Sequence, residues 1–265
     1  MITVLSLGAG VQSSTLALMA AAGEITPMPD CAIFADTGAE PAKVYEWLDW
    51  IETKLPFPVH RTMRGNLEED ALATNERRRV ASPPWYTVTN GKVGMLQRAC
   101  TREYKIEPIT RKVRELCGLK KGERARGALA TMWIGISTDE AQRMKPNRAA
   151  YIVNEWPLID RGISRDDCLR WMESRGYPKP AKSACYFCPY HDDLMWRDMK
   201  TNQPDEWDRA VAFDTKIRDK SLKGLLAPVF VHRSGKPLNE VDLRTAEDAG
   251  QLSMFNEECE GMCGV

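Results

Sequence analysis

The sequence has no excess of charge of either sign, because 37 Lys and Arg balance 37 Asp and Glu and the pI is near 6.8. A global basic field for nucleic acid or membranes is therefore excluded, so any polyanion must meet a local patch. No stretch approaches the roughly 18–20 unbroken apolar residues that span a bilayer, and Met1–Leu5 lacks a positively charged leader segment. We expect a cytoplasmic protein with no membrane partner.

A disulfide framework is not indicated either. The eight cysteines are irregularly spaced in a chain of 265 residues without an export signal, which favours reduced thiols or metal ligands. The hydrophobic content of 43% is enough for one sizeable core with a smaller appended part.

The first sixty residues alternate short apolar runs with helical periodicity, which is typical of parallel strands joined by crossover helices. The pattern predicts strands at 2–7, 31–35 and 58–63, and helices at 13–22 and from Pro41. The expected fold class is α/β, with a doubly wound, mostly parallel, Rossmann-like sheet.

Beyond this sheet pattern, residues 64–98 lose the apolar period and form an excursion. A helix is predicted at 102–116, strands at 128–136 and 151–158, and a helix capped by Ser164 that runs to Arg175. We predict a nucleotide-binding domain over 1–165 and an α-rich lobe over 166–265. The lobe carries Trp196, Trp207 and Phe213 as buried anchors.

The turn from Ser6 to Ser14 joins the first strand to the first helix, so its backbone N–H groups can approach an anion at the helix's positive end. A Walker lysine and the third glycine of the dinucleotide fingerprint are both missing, which disfavours simple kinases and dehydrogenases. The predicted phosphate-binding residues are Ser6, Gly8, Gly10, Gln12, Ser13 and Ser14.

Three further segments accompany this turn: Asp36-Thr37-Gly38, Gly135 to Glu140 with Arg143, and Trp156 to Asp160. Together with the serine-rich turn they resemble the PP-loop superfamily of ATP pyrophosphatases and PAPS reductases. The resemblance covers about residues 2–191 and implies that ATP, or PAPS or APS, binds at these segments. Gln12 stands where the pyrophosphatases carry aspartate, so magnesium, a further expected cofactor, would meet an amide there.

The Cys185-x-x-Cys188 pair, with Pro189 after it, is the sharpest chemical signal, because two thiolates at this spacing can face one metal. Resemblance to iron–sulfur PAPS reductase-like proteins adds Cys100 and implies a [4Fe–4S] cluster. Ala99-Cys100 replaces the usual cysteine pair, so the fourth iron is either open or held by His191, Cys259 or Cys263. The alternative is zinc held by Cys100, Cys185, Cys188 and His191.

The tail ends in Cys259 and Cys263, which by the same resemblance are candidates for the nucleophile of a PAPS reductase. Their acidic neighbours should raise the thiol pKa. Cys31, Cys117 and Cys168 lie in apolar positions and receive no role.

A basic segment over residues 61–105 is interleaved with Trp85 and Tyr86 and is a candidate surface for a nucleic-acid substrate. A solvated charged loop is the alternative. Lys105 is singled out because it lies about one helical turn from Cys100. The basic residues are Arg61, Arg64, Arg77, Arg78, Arg79, Lys92, Arg98, Arg102 and Lys105.

The function expected from the resemblance is ATP-dependent sulfur transfer: adenylation of an acceptor oxygen, then its replacement by sulfur, as in tRNA thiolation or DNA phosphorothioation. Lys105 and Arg143 would offset the negative charge that develops, and a cysteine desulfurase or another donor would supply sulfur. One alternative is PAPS or APS reduction by a C-terminal cysteine, and another is an inactive nucleotide- and zinc-binding scaffold. The sequence leaves the oligomeric state open.

Overall fold

The computed structural model describes residues 1–73, 83–219, 227–244 and 248. The strands are β1 Ile2–Ser6, β2 Cys31–Asp36, β3 Val59–Met63, β4 Tyr86–Thr89, β5 Lys92–Met95, β6 Ala130–Ile134, β7 Ile152–Glu155 and β8 Val229–Phe230. The α-helices are α1 Val11–Ala21, α2 Ala42–Glu52, α3 Leu67–Leu72, α4 Glu107–Leu116, α5 Pro157–Asp160, α6 Arg165–Ser174, α7 Asp193–Asn202 and α8 Pro204–Asp219. A π-helical turn spans Thr101–Ile106, and 3-10 helices span Thr138–Arg143 and Leu238–Glu240.

Five strands form a sheet in the order β3-β2-β1-β6-β7, and all four pairings are parallel. β1 is central, with Val4 opposite Cys31 of β2 and opposite Met132 of β6. Parallel strands need crossover connections, and helices supply them here. The predicted doubly wound α/β sheet is therefore confirmed.

The two faces of this sheet bury different side chains, because successive residues of a strand point to opposite sides. Leu5 and Phe34 pack with side chains of α1, α2 and α6 on one face. Val4 and Ile33 pack with Ile109 and Val113 of α4 on the other face. Helices thus cover both faces, as an all-parallel sheet requires.

Local signals set the ends of two of these helices. Gly23 lies just past α1 with φ of 75°, a left-handed conformation that glycine adopts without steric cost. Ser164 caps α6: its hydroxyl accepts a hydrogen bond from the Asp167 N–H, and the Asp167 side chain accepts one from the Ser164 N–H. Both helices agree with the sequence prediction.

The strand predicted over 151–158 is wrong in its second half. β7 ends at Glu155, and α5 begins at Pro157. Proline has no N–H to donate to a sheet, whereas its fixed φ suits the first turn of a helix.

The excursion over 64–98 contains more regular structure than the sequence predicts, namely α3 and a hairpin of β4 and β5. Asn90 and Gly91 turn the hairpin with φ of 52° and 72°. Positive φ at both positions suits the twist of a two-residue hairpin, and Asn-Gly is its commonest sequence. The sequence analysis predicted no hairpin here, because the segment lacks the alternation of apolar residues that indicates strands.

The chain divides into two compact units. The first comprises Met1–Arg64 and Arg102–Ser183 and contains the parallel sheet; the second comprises Gly65–Thr101 and the described chain from Ala184 onward. This division places α6 in the first unit and the excursion in the second, so it differs from the boundary predicted after residue 165.

The second unit has a small antiparallel sheet in the order β5-β4-β8, together with α3, α7 and α8. Its core is aromatic: the rings of Phe187 and Phe213 stack with centroids 4.0 Å apart, and Trp85 lies 5.5 Å from Phe213. Trp196, Trp207 and Phe213 are buried, as predicted. Among the described residues, none of the helices in either unit has the length and apolar character needed to cross a membrane.

Candidate functional site

The predicted phosphate turn lies at the carboxyl edge of the parallel sheet, where the strand order changes direction. From β1 the chain runs to β2 and β3 on one side, and it then returns to form β6 and β7 on the other side. The strand order therefore reverses between β1 and β6, and ligands of α/β sheets commonly bind at the carboxyl ends of the strands at such a point. Ser6, the last residue of β1, pairs with Ile33 and Ile134 at this edge.

The turn after β1 places backbone N–H groups at the start of α1. Ala9 has a left-handed φ of 56°, and Gly10 precedes the helix in an extended conformation. No side chain of the described residues caps Gly10. Consecutive N–H groups around a left-handed residue at a helix start form an anion-binding concavity.

The serines of the turn differ in their surroundings. The Ser13 hydroxyl accepts a hydrogen bond from the Gly8 N–H at 3.1 Å and donates to the Gly10 carbonyl at 3.3 Å, so it closes the turn. The Ser14 hydroxyl accepts from Trp47 Nε1 at 3.0 Å, and the Ser14 side chain is fully buried. Ser14 thus fastens α1 to α2, while its predicted contact with phosphate stays a prediction.

Gly135, which follows β6, lies directly against the turn. A Cβ atom built on Gly135 would lie 2.6 Å from both the N and the Cα of Ser13. A Cβ atom does not approach non-bonded backbone atoms this closely, so only glycine permits this approach of the β6 loop to α1. Gly135 therefore allows the loop after β6 to pack closely against the first turn of α1.

Gln12, the second residue of α1, belongs to a buried polar network. Its Oε1 accepts a hydrogen bond from Arg165 Nη1 at 3.2 Å, and its Nε2 donates to Glu140 Oε2 at 3.5 Å. Glu140 also forms an ion pair with Arg143. Gln12 and Glu140 are only 8% and 5% exposed. The predicted residues Gln12, Glu140 and Arg143 are thus brought together, and Arg165 joins them.

The predicted segment Asp36-Thr37-Gly38 ends β2 at the same edge. Asp36 Oδ1 accepts hydrogen bonds from the Gly38 N–H at 2.7 Å and from the Tyr45 hydroxyl at 2.8 Å. Burial and the Asp36 carboxylate together raise the pKa of Tyr45, so Tyr45 keeps its proton and acts as a donor. Asp36 therefore shapes the loop that follows β2.

Lys105 pairs with a carboxylate of this loop. Its Nζ lies 3.2 Å from Oε1 of Glu40, and Thr37 Oγ1 donates to the same oxygen at 3.4 Å. Glu40 was not among the predicted residues, because an acidic residue in a loop before a helix is ordinarily a surface residue.

Other cations of the predicted basic segment also have acidic partners within the first unit. Arg61 contacts Asp49 and Glu52 at 2.5 and 2.8 Å, and these contacts raise its pKa. Arg64 and Arg102 both approach Glu103, at 3.3 and 3.2 Å. Arg77, Arg78 and Arg79 lie outside the described residues. Nucleic-acid binding by this segment stays a prediction.

The Cys185-x-x-Cys188 segment lies in the second unit and forms consecutive tight turns. The Cys188 N–H donates to the Cys185 carbonyl at 2.9 Å, and the His191 N–H donates to the Cys188 carbonyl at 3.1 Å. The His191 ring packs edge-on against Trp196 with centroids 4.6 Å apart. Cys100 belongs to the same unit.

No three His, Cys, Asp or Glu side chains in the described ranges are grouped as a metal site requires. Iron–sulfur or zinc binding by Cys100, Cys185, Cys188 and His191 therefore stays a prediction. Cys259 and Cys263 lie outside the described residues.

The three cysteines without a predicted role have thiols of low reactivity. Burial raises the pKa of Cys31 to about 11 and that of Cys168 to about 12, and it raises the pKa of Cys117 as well. A thiol with such a pKa carries almost no thiolate at neutral pH and is a poor nucleophile.

Arg165 is the functional candidate that sequence reasoning missed. Its position at the start of α6 was visible, because Ser164 and Asp167 form a capping box. Nothing local in the sequence indicates that α6 packs against α1, which brings Arg165 to Gln12 across 153 positions of the chain.

Comparisons with known proteins find similarity among solved structures. No protein-family model matches the sequence, and no curated protein matches it. Among solved structures, the phosphoadenylyl-sulfate (PAPS) reductase from Candida auris, in a phosphate complex, is 14% identical with a TM-score of 0.43. The match covers 68% of this chain and 75% of that chain.

Proposed function

We propose that this chain is an adenine-nucleotide-dependent enzyme of the PP-loop type, and that its first unit binds the nucleotide phosphates at the turn from Ser6 to Ser14. The observation that carries the proposal is the position of this turn. An uncapped helix start with a left-handed Ala9 lies at the switch point of a parallel sheet, beside Arg143 and Arg165. Anions bind where such N–H groups and guanidinium groups converge.

The reaction proposed is adenylation followed by sulfur transfer. An acceptor oxygen attacks the α-phosphorus of ATP, the bond from that phosphorus to the bridging oxygen breaks, and pyrophosphate leaves with the bonding electron pair. The acceptor oxygen then leaves as AMP when a sulfur nucleophile attacks the atom that bears it. Adenylation converts a poor leaving group into a good one, and this is what ATP contributes.

The chain's own residues contribute binding and charge. The amino end of α1 attracts the phosphates, and Lys105 and Arg143 are the cations proposed to stabilise the charge on the departing oxygens. A tRNA, a DNA phosphate or a small molecule is the proposed acceptor, and a cysteine desulfurase or another donor is the proposed source of sulfur. Magnesium would be bound by the phosphate oxygens of ATP. A [4Fe–4S] cluster or zinc stays a prediction, and quantification of iron, sulfide and zinc after anaerobic purification tests it.

Calorimetric titration of the full chain with ATP, PAPS and APS tests the binding step. We expect ATP to bind and Gly8→Val to abolish binding, because a branched side chain then stands where phosphate must approach the backbone. Gly94→Val is the matched control: it makes the same change in β5, where a Cβ meets only Thr87 at an ordinary 3.8 Å. Equal ATP affinity in both variants would exclude the turn as the phosphate site.

Product analysis separates the reaction types. Release of pyrophosphate from ATP, with acceptor and sulfide present, is the expected result. Sulfite released from PAPS or APS by a reduced thiol donor would instead establish a reductase, and truncation after Phe255 would then abolish it. Nucleotide binding without turnover of any of these substrates would identify a scaffold.

A further inference from the structure

The oxygen atoms around the phosphate turn are already engaged by donors. Magnesium is usually held in nucleotide sites by one or two carboxylates together with the phosphates. At position 12 this chain has an amide, and the amide oxygen accepts a hydrogen bond from Arg165 Nη1 at 3.2 Å. A guanidinium at that distance repels a second cation from the same oxygen.

Two carboxylates of the loop after β6 also accept hydrogen bonds from neighbouring donors. Glu140 forms an ion pair with Arg143 and accepts a hydrogen bond from Gln12. Asp139 Oδ2 accepts from the Ser137 hydroxyl at 3.1 Å and from the Arg165 N–H at 2.6 Å. These donors fit an arginine-lined site and do not fit a magnesium ion at Gln12.

Arg165 is oriented at both ends. Its backbone N–H is held by Asp139, and the capping box of Ser164 and Asp167 orders the first turn of α6, where Arg165 lies. Its guanidinium is held by Gln12. A guanidinium is planar, always charged and carries five N–H donors, so one bond to Gln12 orients the group toward the start of α1 while preserving its charge.

We infer that Arg165, oriented by Gln12, supplies the positive charge that a carboxylate-bound magnesium ion would otherwise supply at this turn. Nucleotide binding there consequently does not depend on a divalent cation. The inference rests on the proposed function, since it assumes that the turn binds nucleotide phosphates, and it concerns the binding step alone.

The test measures the dissociation constant of ATP by calorimetry, in EDTA and in excess Mg²⁺. For the wild-type chain we expect the two values to agree within about threefold. Arg165→Gln should weaken ATP binding about tenfold in both conditions, because a charge-assisted contact is lost. Arg170→Gln is the matched control: Arg170 lies in the same helix, pairs with Asp166 and Asp167, and should leave the affinity unchanged.

Gln12→Asp should make ATP binding depend on Mg²⁺. It places a carboxylate beside Glu140 and against Arg165, so we expect weaker ATP binding in EDTA and recovery in Mg²⁺. Melting temperatures establish that each variant is folded. If Arg165→Gln does not fold, Arg165→Lys serves instead: it keeps the charge, loses the planar fork, and should still weaken binding.

Two results would overturn the inference while leaving the proposed function intact: ATP binding that needs Mg²⁺ in the wild-type chain, or equal affinities for Arg165→Gln and Arg170→Gln. Failure of the wild-type chain to bind ATP in either condition would overturn the proposed function, and the inference with it.

Discussion

Lys105 Nζ lies 3.2 Å from Oε1 of Glu40, a carboxylate whose side chain is completely buried. Among the described residues, none forms a hydrogen bond with the other oxygen of Glu40, Oε2. A buried carboxylate with one unsatisfied oxygen is costly and is retained only with a close cation. The pair therefore connects the loop after β2 to the segment before α4.

Glu40→Gln is expected to destabilise the chain by removing the charge that faces Lys105. We expect a loss of about 2 kcal/mol in the free energy of unfolding, below the roughly 3–5 kcal/mol for breaking a fully buried pair, because the Lys105 side chain keeps 15% exposure. Urea unfolding measures the change. Glu115→Gln breaks an exposed pair with Lys112 and should cause no measurable change. Identical unfolding curves for the two variants would refute a stabilising pair.

Gly135→Ala is expected to lower the melting temperature, because its Cβ would lie 2.6 Å from backbone atoms of Ser13. Overpacking of this kind costs on the order of 1–3 kcal/mol. Gly10→Ala is the control, since a Cβ at Gly10 has nothing within 4 Å. Differential scanning calorimetry compares the two variants. A drop of equal size in both would show that the turn, and not the approach of Gly135, limits stability.

Folding of the second unit is expected to weaken in acid through His232. The ring is buried; its Nδ1 accepts from the Ser234 N–H at 3.1 Å, and its Nε2 lies 2.8 Å from Asp193 Oδ1. Burial lowers the pKa of His232 below its ordinary value of 6.5, and the opposing influence of Asp193 does not cancel this shift. The neutral ring is thus favoured in the folded state, so its contribution is present above pH 6.5 and is lost as the pH falls below it.

The measurement is the melting temperature of wild type, His232→Asn and His60→Asn between pH 8 and pH 5. We expect the melting temperature to fall less steeply toward pH 5 in His232→Asn than in wild type. In His60→Asn it should fall as steeply as in wild type. Parallel pH curves for wild type and His232→Asn would contradict the assignment to His232.

Cys31 and Cys168 are expected to resist alkylation in the folded chain at pH 8. Their pKa values of about 11 and about 12 leave almost no thiolate, and both side chains are buried. Peptide mapping after iodoacetamide treatment should find both unmodified in native protein and both modified in urea. Modification at comparable rates in both conditions would show that these positions open readily.

The parts of the fold and site that could be predicted from sequence are those with local causes. The apolar runs of β1 and β2, the capping box of α6 and the turn after β1 depend on neighbouring residues, and the structure confirms these elements. The predicted strand extended past the end of β7, because the apolar residues continue through Leu158. Pro157 in fact starts a helix, as proline commonly does.

The partners of the site residues depend on contacts far apart in the sequence. Gln12, Ser13 and Gly135 meet because β6 pairs with β1, and Arg165 reaches Gln12 because α6 packs against α1. Periodicity and capping specify where an element begins and which of its faces is apolar, but they do not specify which strand becomes its neighbour. The amino-acid sequence thus determined the turn after β1 and the kind of sheet that carries it. Only the tertiary structure decided which cations and carboxylates surround that turn, because strand order is settled by packing between distant segments.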